Sequence, residues 1–341
     1  TLESKQAAKQ KEMEQGLQQL KAQQLPGGKG PPEQYPSLTR EDVCQRHAQG
    51  RSLAKTRLQG VDLSGLDLTG ADFSNCVLTG TVFTKAKLDR SIFHRVLARG
   101  ADFSHASLSG ATLDKGGFNT AQFAQANLSG AQCRQVAFSG ADLTGADLQN
   151  ANLYLCSMEK ATADKAVFAH TRFELCLLPS SAQEADFRAA SLTKCVFKAT
   201  GLQGALFSGA VLDRTLFQGA TGTNVDFSHA NLDRVRSMKN SQLPGANFTG
   251  ASLRRAGLRD TDLSDAVFTD CNLGEAILER CRLIRVDMYH LKAIRARFWK
   301  CDLEAASLRG ANLFMASLRK SRLVQTDLTG SNLYAVDFYK A

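Results

Sequence analysis

Several things an enzyme or a membrane protein would need are scarce or absent. The 341 residues include six Pro, one Trp and five Tyr, and aromatics reach only 7% of the chain. No apolar run approaches the ~18 residues that a membrane-spanning helix needs, and no Lys/Arg-then-apolar segment marks an export signal. There is no Cys-x-x-Cys pair, and the six histidines, His47, His94, His105, His170, His229 and His290, lack ligand spacing. A Gly-rich phosphate loop feeding a helix, a nucleophile elbow and a histidine triad are likewise missing. These absences argue against a helical membrane span, a resident metal, a cofactor and a catalytic site. Outward carboxylates are numerous, but nearly all stand at a position that the repeat described next requires.

What the chain does have is a period of five. From Leu58 to Phe338 one residue in five is a large apolar centre: Leu58, Leu63, Leu68, Phe73, Leu78, Phe83 and onward. Two residues before every centre but two, where Leu66 and Leu291 stand instead, is a small one, such as Val61, Ala71, Cys76 or Thr81. The phase holds from Leu58 to Leu178, resumes at Phe187 one residue short, and resumes again at Leu243 one residue long, making 56 pentads. Leu or Phe fills 48 of the 56 centres, which no helical or ordinary strand periodicity explains. A chain with one large and one small inward residue per five turns a corner at every repeat. It therefore forms a coil with flat sides, the other three positions facing water. Asp or Asn before the centre, as in Ala71-Asp72-Phe73, is placed to hydrogen-bond the corner backbone. Gly two after it, as at Gly60, Gly70 and Gly80, suits a turn.

These pentads resemble the pentapeptide-repeat family, whose motif reads Ala-(Asp/Asn)-Leu-X-X, over about 280 of the residues. The resemblance implies an all-β, right-handed quadrilateral parallel β-helix of about 14 coils with four pentads per coil, preceded by a short N-terminal helical segment. At a strand spacing of ~4.8 Å the rod is about 67 Å long. A coil of four pentads predicts that Phe168, Phe187, Phe207, Phe227, Phe248 and Phe268 stack in successive coils. The expected organisation is a helical or frayed segment over 1–24, a Pro/Gly linker over 25–36, a capping helix over 37–52 and the solenoid over 53–341. Phase slips are expected near 179–186 and 238–242, where Pro179 and Pro244 allow an outward bulge. The capping helix should start at Thr39, with Asp42 completing a capping box, and cover the first coil with Val43 and Cys44.

Eight of the nine cysteines occupy inward positions, Cys133 as a centre and the other seven at the small site, so free buried thiols in a reducing compartment are expected. Stacked neighbours such as Cys281 and Cys301 are near enough in the repeat for a bond to be conceivable.

Charge and apolar pattern carry the functional reading. The net charge is +9, and residues 1–50 contribute only +1 of it. Some members of the family mimic DNA to bind gyrase, which needs a long acidic surface, so the basic sum disfavours that role. Toward the C-terminus Arg280, Lys300, Lys320 and Lys340 recur once per four pentads, with Arg282, Arg285, Arg295, Arg297 and Arg319 nearby. In the same region Ile284, Tyr289, Ile294, Trp299, Phe314, Met315, Val324, Tyr334 and Tyr339 fall at positions that should face solvent. A contiguous apolar stripe beside cations is read as an interaction face. Its proposed members are Arg280, Ile294, Trp299, Lys300, Phe314, Lys320, Tyr334 and Tyr339. A protein partner or a homodimer through the C-terminal coils ranks above nucleic acid.

The entry segment, Leu38 through Leu53 followed by Leu58 to Phe73, also resembles the start of the repeats in accessory proteins of bacterial type VI secretion. That implies an upstream domain, consistent with an opening Thr1, and a non-enzymatic adaptor in the bacterial cytoplasm. Its partner would be a type VI effector, a spike component or the upstream domain. A translocated effector is the remaining alternative.

Overall fold

A computed structural model describes residues 34–238 and 240–341, with side chains left undescribed at 236–238. The segment expected to be helical over 1–24, and most of the linker, lie outside the described residues. Their one α-helix is α1 (Arg40–Ala48), entered through a reciprocal capping box between Thr39 and Asp42. Val43 is fully buried against the first coil, whereas Cys44, expected to help cover it, is exposed.

The rest is a right-handed parallel β-solenoid with four sides. Each side is a ladder of parallel bridges between residues one coil apart. Side I carries Arg57, Val77 and Leu97 and continues to Asp337 through fifteen rungs, hence fourteen coils. Side II starts at Asp62, side III at Asp67 and side IV at Asp72. Where the rungs lengthen into strands, side IV holds β1 (Gln132–Arg134), β2 (Asn152–Tyr154), β3 (Arg172–Glu174) and β4 (Ser191–Thr193). Side I holds β5 (Val196–Lys198), β6 (Leu216–Gln218), β7 (Arg236–Met238), β8 (Gly257–Arg259), β9 (Ile277–Glu279) and β10 (Arg297–Trp299).

Backbone accounting explains the pentad. The centre N–H donates to the rung carbonyl of the next coil (Leu58 to Val77, 2.8 Å), and the rung N–H donates to the small residue's carbonyl in the preceding one (Val77 to Thr56, 3.0 Å). The second turn residue reaches forward (Gly60 to Thr79, 3.1 Å), and the small residue closes the corner (Val61 to Leu58, 3.0 Å). Only the first turn residue's N–H is left over. Asp or Asn at the rung accepts it, as Asp62 Oδ1 does from Ser64 at 2.8 Å and Asp147 Oδ1 from Gln149 at 2.8 Å. The second turn residue is left-handed, which suits glycines such as Gly80 (φ 65°) but is also imposed on Lys85 (φ 58°) and Arg280 (φ 51°).

Inside, the predicted Phe column on side III is present. Phe168, Phe187, Phe207, Phe227, Phe248 and Phe268 stack with centroids 4.7–5.1 Å apart. Polar small residues are tolerated because many donate to the carbonyl of the centre one coil earlier: Thr81 Oγ1 to Leu58 at 2.7 Å, Thr171 Oγ1 to Leu148 at 2.6 Å, Cys176 Sγ to Leu153 at 3.3 Å. All nine cysteines are free thiols.

The slips are built differently from the outward bulges expected at Pro179 and Pro244. On side I the step from Leu177 to Val196 is one residue short of a regular coil, and the step from Arg236 to Gly257 is one residue long. At the first slip nothing bulges: the corner is one residue shorter, Pro179 turns inward, and buried Ala182 serves as a further centre that the repeat count passes over. At the second, the extra residue lies between β7 and Ser241, before Pro244, which sits at an ordinary turn position. A one-residue change is absorbed at a corner because the corner makes fewer bonds between coils than the rung and centre do. Side I also departs from the rule that rungs face water, since Leu177, Val196 and Leu216 form a small buried cluster on its outer surface.

Candidate functional site

The ladder register converts the linear charge pattern into a distribution around the rod. Leaving out residues 236–239, side I with its two flanking corners holds 21 Lys and Arg against 9 Asp and Glu. Sides II and III with the corner between them hold 6 against 15. Sides I and III are opposite, so the rod is polarised across its width. The acidic half arises largely because the rungs of sides II and III use Asp to accept the turn N–H; the rungs of side I, filled by Val77, Leu97, Val196 or Leu216, do not.

The polarity sharpens near the C-terminal end. Among residues 281–341, the arginines on the other sides face carboxylates, Arg285 meeting Asp265 at 2.7 Å, Arg282 meeting Asp262 at 3.8 Å, Arg309 meeting Asp327 at 3.8 Å and Arg322 bridging Asp302 and Glu304. Side I and its corners carry Arg295, Arg297, Lys300, Arg319, Lys320 and Lys340 with a single carboxylate, Asp337, which pairs with Arg319 at 3.5 Å.

The proposed face members fall into two rows bordering this side. Ile294, Phe314 and Tyr334 lie on the corner between sides IV and I; the Phe314 and Tyr334 rings are parallel, with centroids 5.7 Å apart, and Tyr334 is 71% exposed. Trp299, Lys300, Lys320 and Tyr339 lie on the corner between sides I and II. There the Lys300 Nζ sits 4.7 Å from the Trp299 ring centroid, and Arg319 covers Tyr339 at 4.9 Å.

Two expectations need correction. The apolar stripe is not contiguous: Ile284 and Val324 stand on the corner between sides II and III, and Tyr289 on the corner between III and IV, away from the others. Spacings of one or three pentads move a side chain to another side; only whole coils keep it in one row. Arg280 belongs to the I–II corner row, but its guanidinium is engaged by both Asp260 oxygens at 2.6 and 2.8 Å and by Glu279. This hydrogen-bonded pairing holds the Asp260 carboxyl below its usual range. The sequence reading also missed Ile277, an exposed rung on side I, whose signal was the aliphatic column repeating once per coil.

Among the described residues no group of three or more His, Cys, Asp or Glu could hold a metal ion. No described helix is long and apolar enough to cross a membrane. Burial pushes the Cys133 thiol up to about 12, the behaviour of a core thiol and not of a nucleophile.

Among solved structures the chain is similar to HetL, a pentapeptide repeat protein involved in heterocyst differentiation regulation in the cyanobacterium Nostoc sp. strain PCC 7120. Identity is 22% over 88% of this chain and 96% of that one, with a TM-score of 0.32. A pentapeptide repeat protein of the Arabidopsis thaliana thylakoid lumen is 36% identical over 27% of this chain and 63% of that one (TM-score 0.26). QnrB1, a plasmid-mediated fluoroquinolone resistance protein, is 21% identical over 61% of this chain and 92% of that one (TM-score 0.27). No curated protein matches the chain. The family described as pentapeptide repeats matches in eight copies, over residues 56–95, 118–154, 141–178, 202–236, 237–270, 261–299, 292–323 and 312–341. With the pentad ladder and a match over most of its length, the chain belongs to the pentapeptide repeat family.

Proposed function

We propose that the chain is a non-enzymatic scaffold that binds a protein partner through side I of its last three coils. What carries this reading is the convergence of exposed Ile294, Trp299, Tyr334 and Tyr339, and half-buried Phe314, with unbalanced cations on one side of a rigid rod. Aromatic and Arg-rich patches of this kind are enriched in interfaces. The finer assignment, an adaptor for effector loading or spike association in bacterial type VI secretion, rests on the entry segment around Leu38–Phe73. DNA mimicry of gyrase is less well supported. Sides II and III carry a net of nine negative charges, about one per 7 Å of a ~67 Å rod, against one per ~1.7 Å in duplex DNA.

The test is site-specific photocrosslinking in a type VI-active bacterium, with the photoreactive residue at 299 or 314 on the proposed face and at 287 or 327 on side III. Crosslinks to an effector or spike protein from 299 and 314 alone support the reading. Equal yields from both sides remove the surface from consideration, and crosslinks between copies of the chain assign it to self-association.

A further inference from the structure

The basic side has an internal order that goes beyond its sign. From Val77 to Leu216 its rungs are apolar or small and mostly buried; beyond exposed Ile277 they are Arg297, Ser317 and Asp337, so the exposed apolar groups of the last coils, Ile294, Met315, Trp299 and Tyr339, stand on the two corners. Cations accompany them, Arg297 on the midline, Arg295 on one corner and Lys300, Lys320 and Lys340 on the other. Among residues 281–341 the only carboxylate on this side is Asp337. Exposed apolar groups interspersed with unbalanced cations match a protein partner that brings apolar side chains together with the opposite charge.

The rings distinguish this from a track for single-stranded nucleic acid, which needs open aromatic faces on which bases can stack. Here each ring already has a face taken. Lys300 lies over Trp299, Arg319 and Lys340 lie over Tyr339, and Phe314 and Tyr334 stack on each other. What remains available is ring edges and outer faces together with the aliphatic groups of Ile277, Ile294 and Met315, all of them exposed. Such groups gain more from apolar side chains than from bases.

Resting on the binding role proposed above, we infer that the partner presents an acidic amphipathic segment lying along the rod axis. Its apolar residues meet Ile277, Ile294, Trp299 and Phe314, and its carboxylates meet Arg295, Lys300, Lys320 and Lys340. Charge steers the encounter and sets orientation, while the apolar groups supply the anchor.

Fluorescence anisotropy on the full chain tests this with four labelled probes: a synthetic peptide of Glu with Leu and Phe every third or fourth position, a Glu/Ser peptide of equal charge and length, the first peptide with Lys in place of Glu, and an oligo-dT of matching length. The expected result is that the first probe binds at least tenfold more tightly than the other three at low salt and weakens as salt rises. It should lose at least tenfold in Trp299→Ala and Phe314→Ala and again in Lys300→Glu/Lys320→Glu. Asp287→Lys on side III should leave it unchanged, with circular dichroism confirming each fold.

Equal binding of the Lys and Glu peptides, dependent on Trp299, would overturn the acidic partner while leaving a protein-binding surface in place. Tighter binding of oligo-dT would overturn both readings. Binding unaffected by the Trp299 and Phe314 changes, or no binding of the first peptide, would overturn the inference alone, with the crosslinking experiment still deciding the surface.

Discussion

Replacing Phe207 by Ala probes the physics that holds the rod rigid enough to display a surface. The side chain is fully buried, stacked on Phe187 at 4.7 Å and on Phe227 at 5.0 Å, and edge-on to Phe197 at 5.7 Å. Truncating a buried Phe costs about 3–5 kcal/mol, depending on how far the site collapses. Here collapse is opposed from both directions, because Phe207 N–H bonds Asp226 and Leu206 N–H bonds Ala185, pinning the backbone to the coils on either side. The cost should therefore lie near the top of the range, about 4–5 kcal/mol. Phe207→Leu, which installs the residue found at most other centres, should cost only about 1–2 kcal/mol. Each coil contacts mainly its neighbours, so the damage should be local. Guanidinium unfolding by circular dichroism would give the stability difference, and amide hydrogen exchange would locate it. Protection should fall first in the coils from Phe187 to Phe227, while those around Phe93 retain theirs. Ala and Leu variants within about 1 kcal/mol of each other, or protection lost uniformly along the rod, would refute the cavity argument.

Acid should loosen the corners. Hydrogen bonds from Ser64, Thr69 and Thr329 hold the Asp62, Asp67 and Asp327 carboxyls below the usual carboxylate range. A depressed folded value means that this stabilisation is complete above the unfolded value of about 4 and is lost as pH falls through the folded values. The thermal midpoint should thus fall between about pH 4 and pH 2, and a midpoint rising over that interval would contradict the role given to these carboxylates. Thiol reagent should modify one cysteine quickly in the native chain, exposed Cys44, and reach the eight buried ones only on unfolding. Rapid titration of two or more would place some of the others outside the core.

The pentad was legible because each position answers a local demand. A large centre fills the interior, a small residue clears the corner, and Asp or Asn satisfies the one turn N–H that the ladder leaves over. The Phe column followed from the same arithmetic. The slip geometry did not, since Pro179 marks a shortened corner and Pro244 an ordinary turn, and a proline in the sequence does not reveal which residue the backbone omits or adds. The candidate face was half legible: Trp299, Lys300, Phe314 and Tyr334 border one side as their spacings allow, but Tyr289 and Val324 lie elsewhere.

By itself the sequence determined the coil, its length of about fourteen turns and the rows that repeat once per coil, because a period of five with one large inward residue turns a corner at every repeat. Only the tertiary structure decided which rows border the same side, which cations are already paired, as Arg280 is with Asp260, and that a net charge of +9 conceals a basic side opposite an acidic one. A sum over the chain discards direction. The ladder restores it, by fixing where around the axis each charge must point.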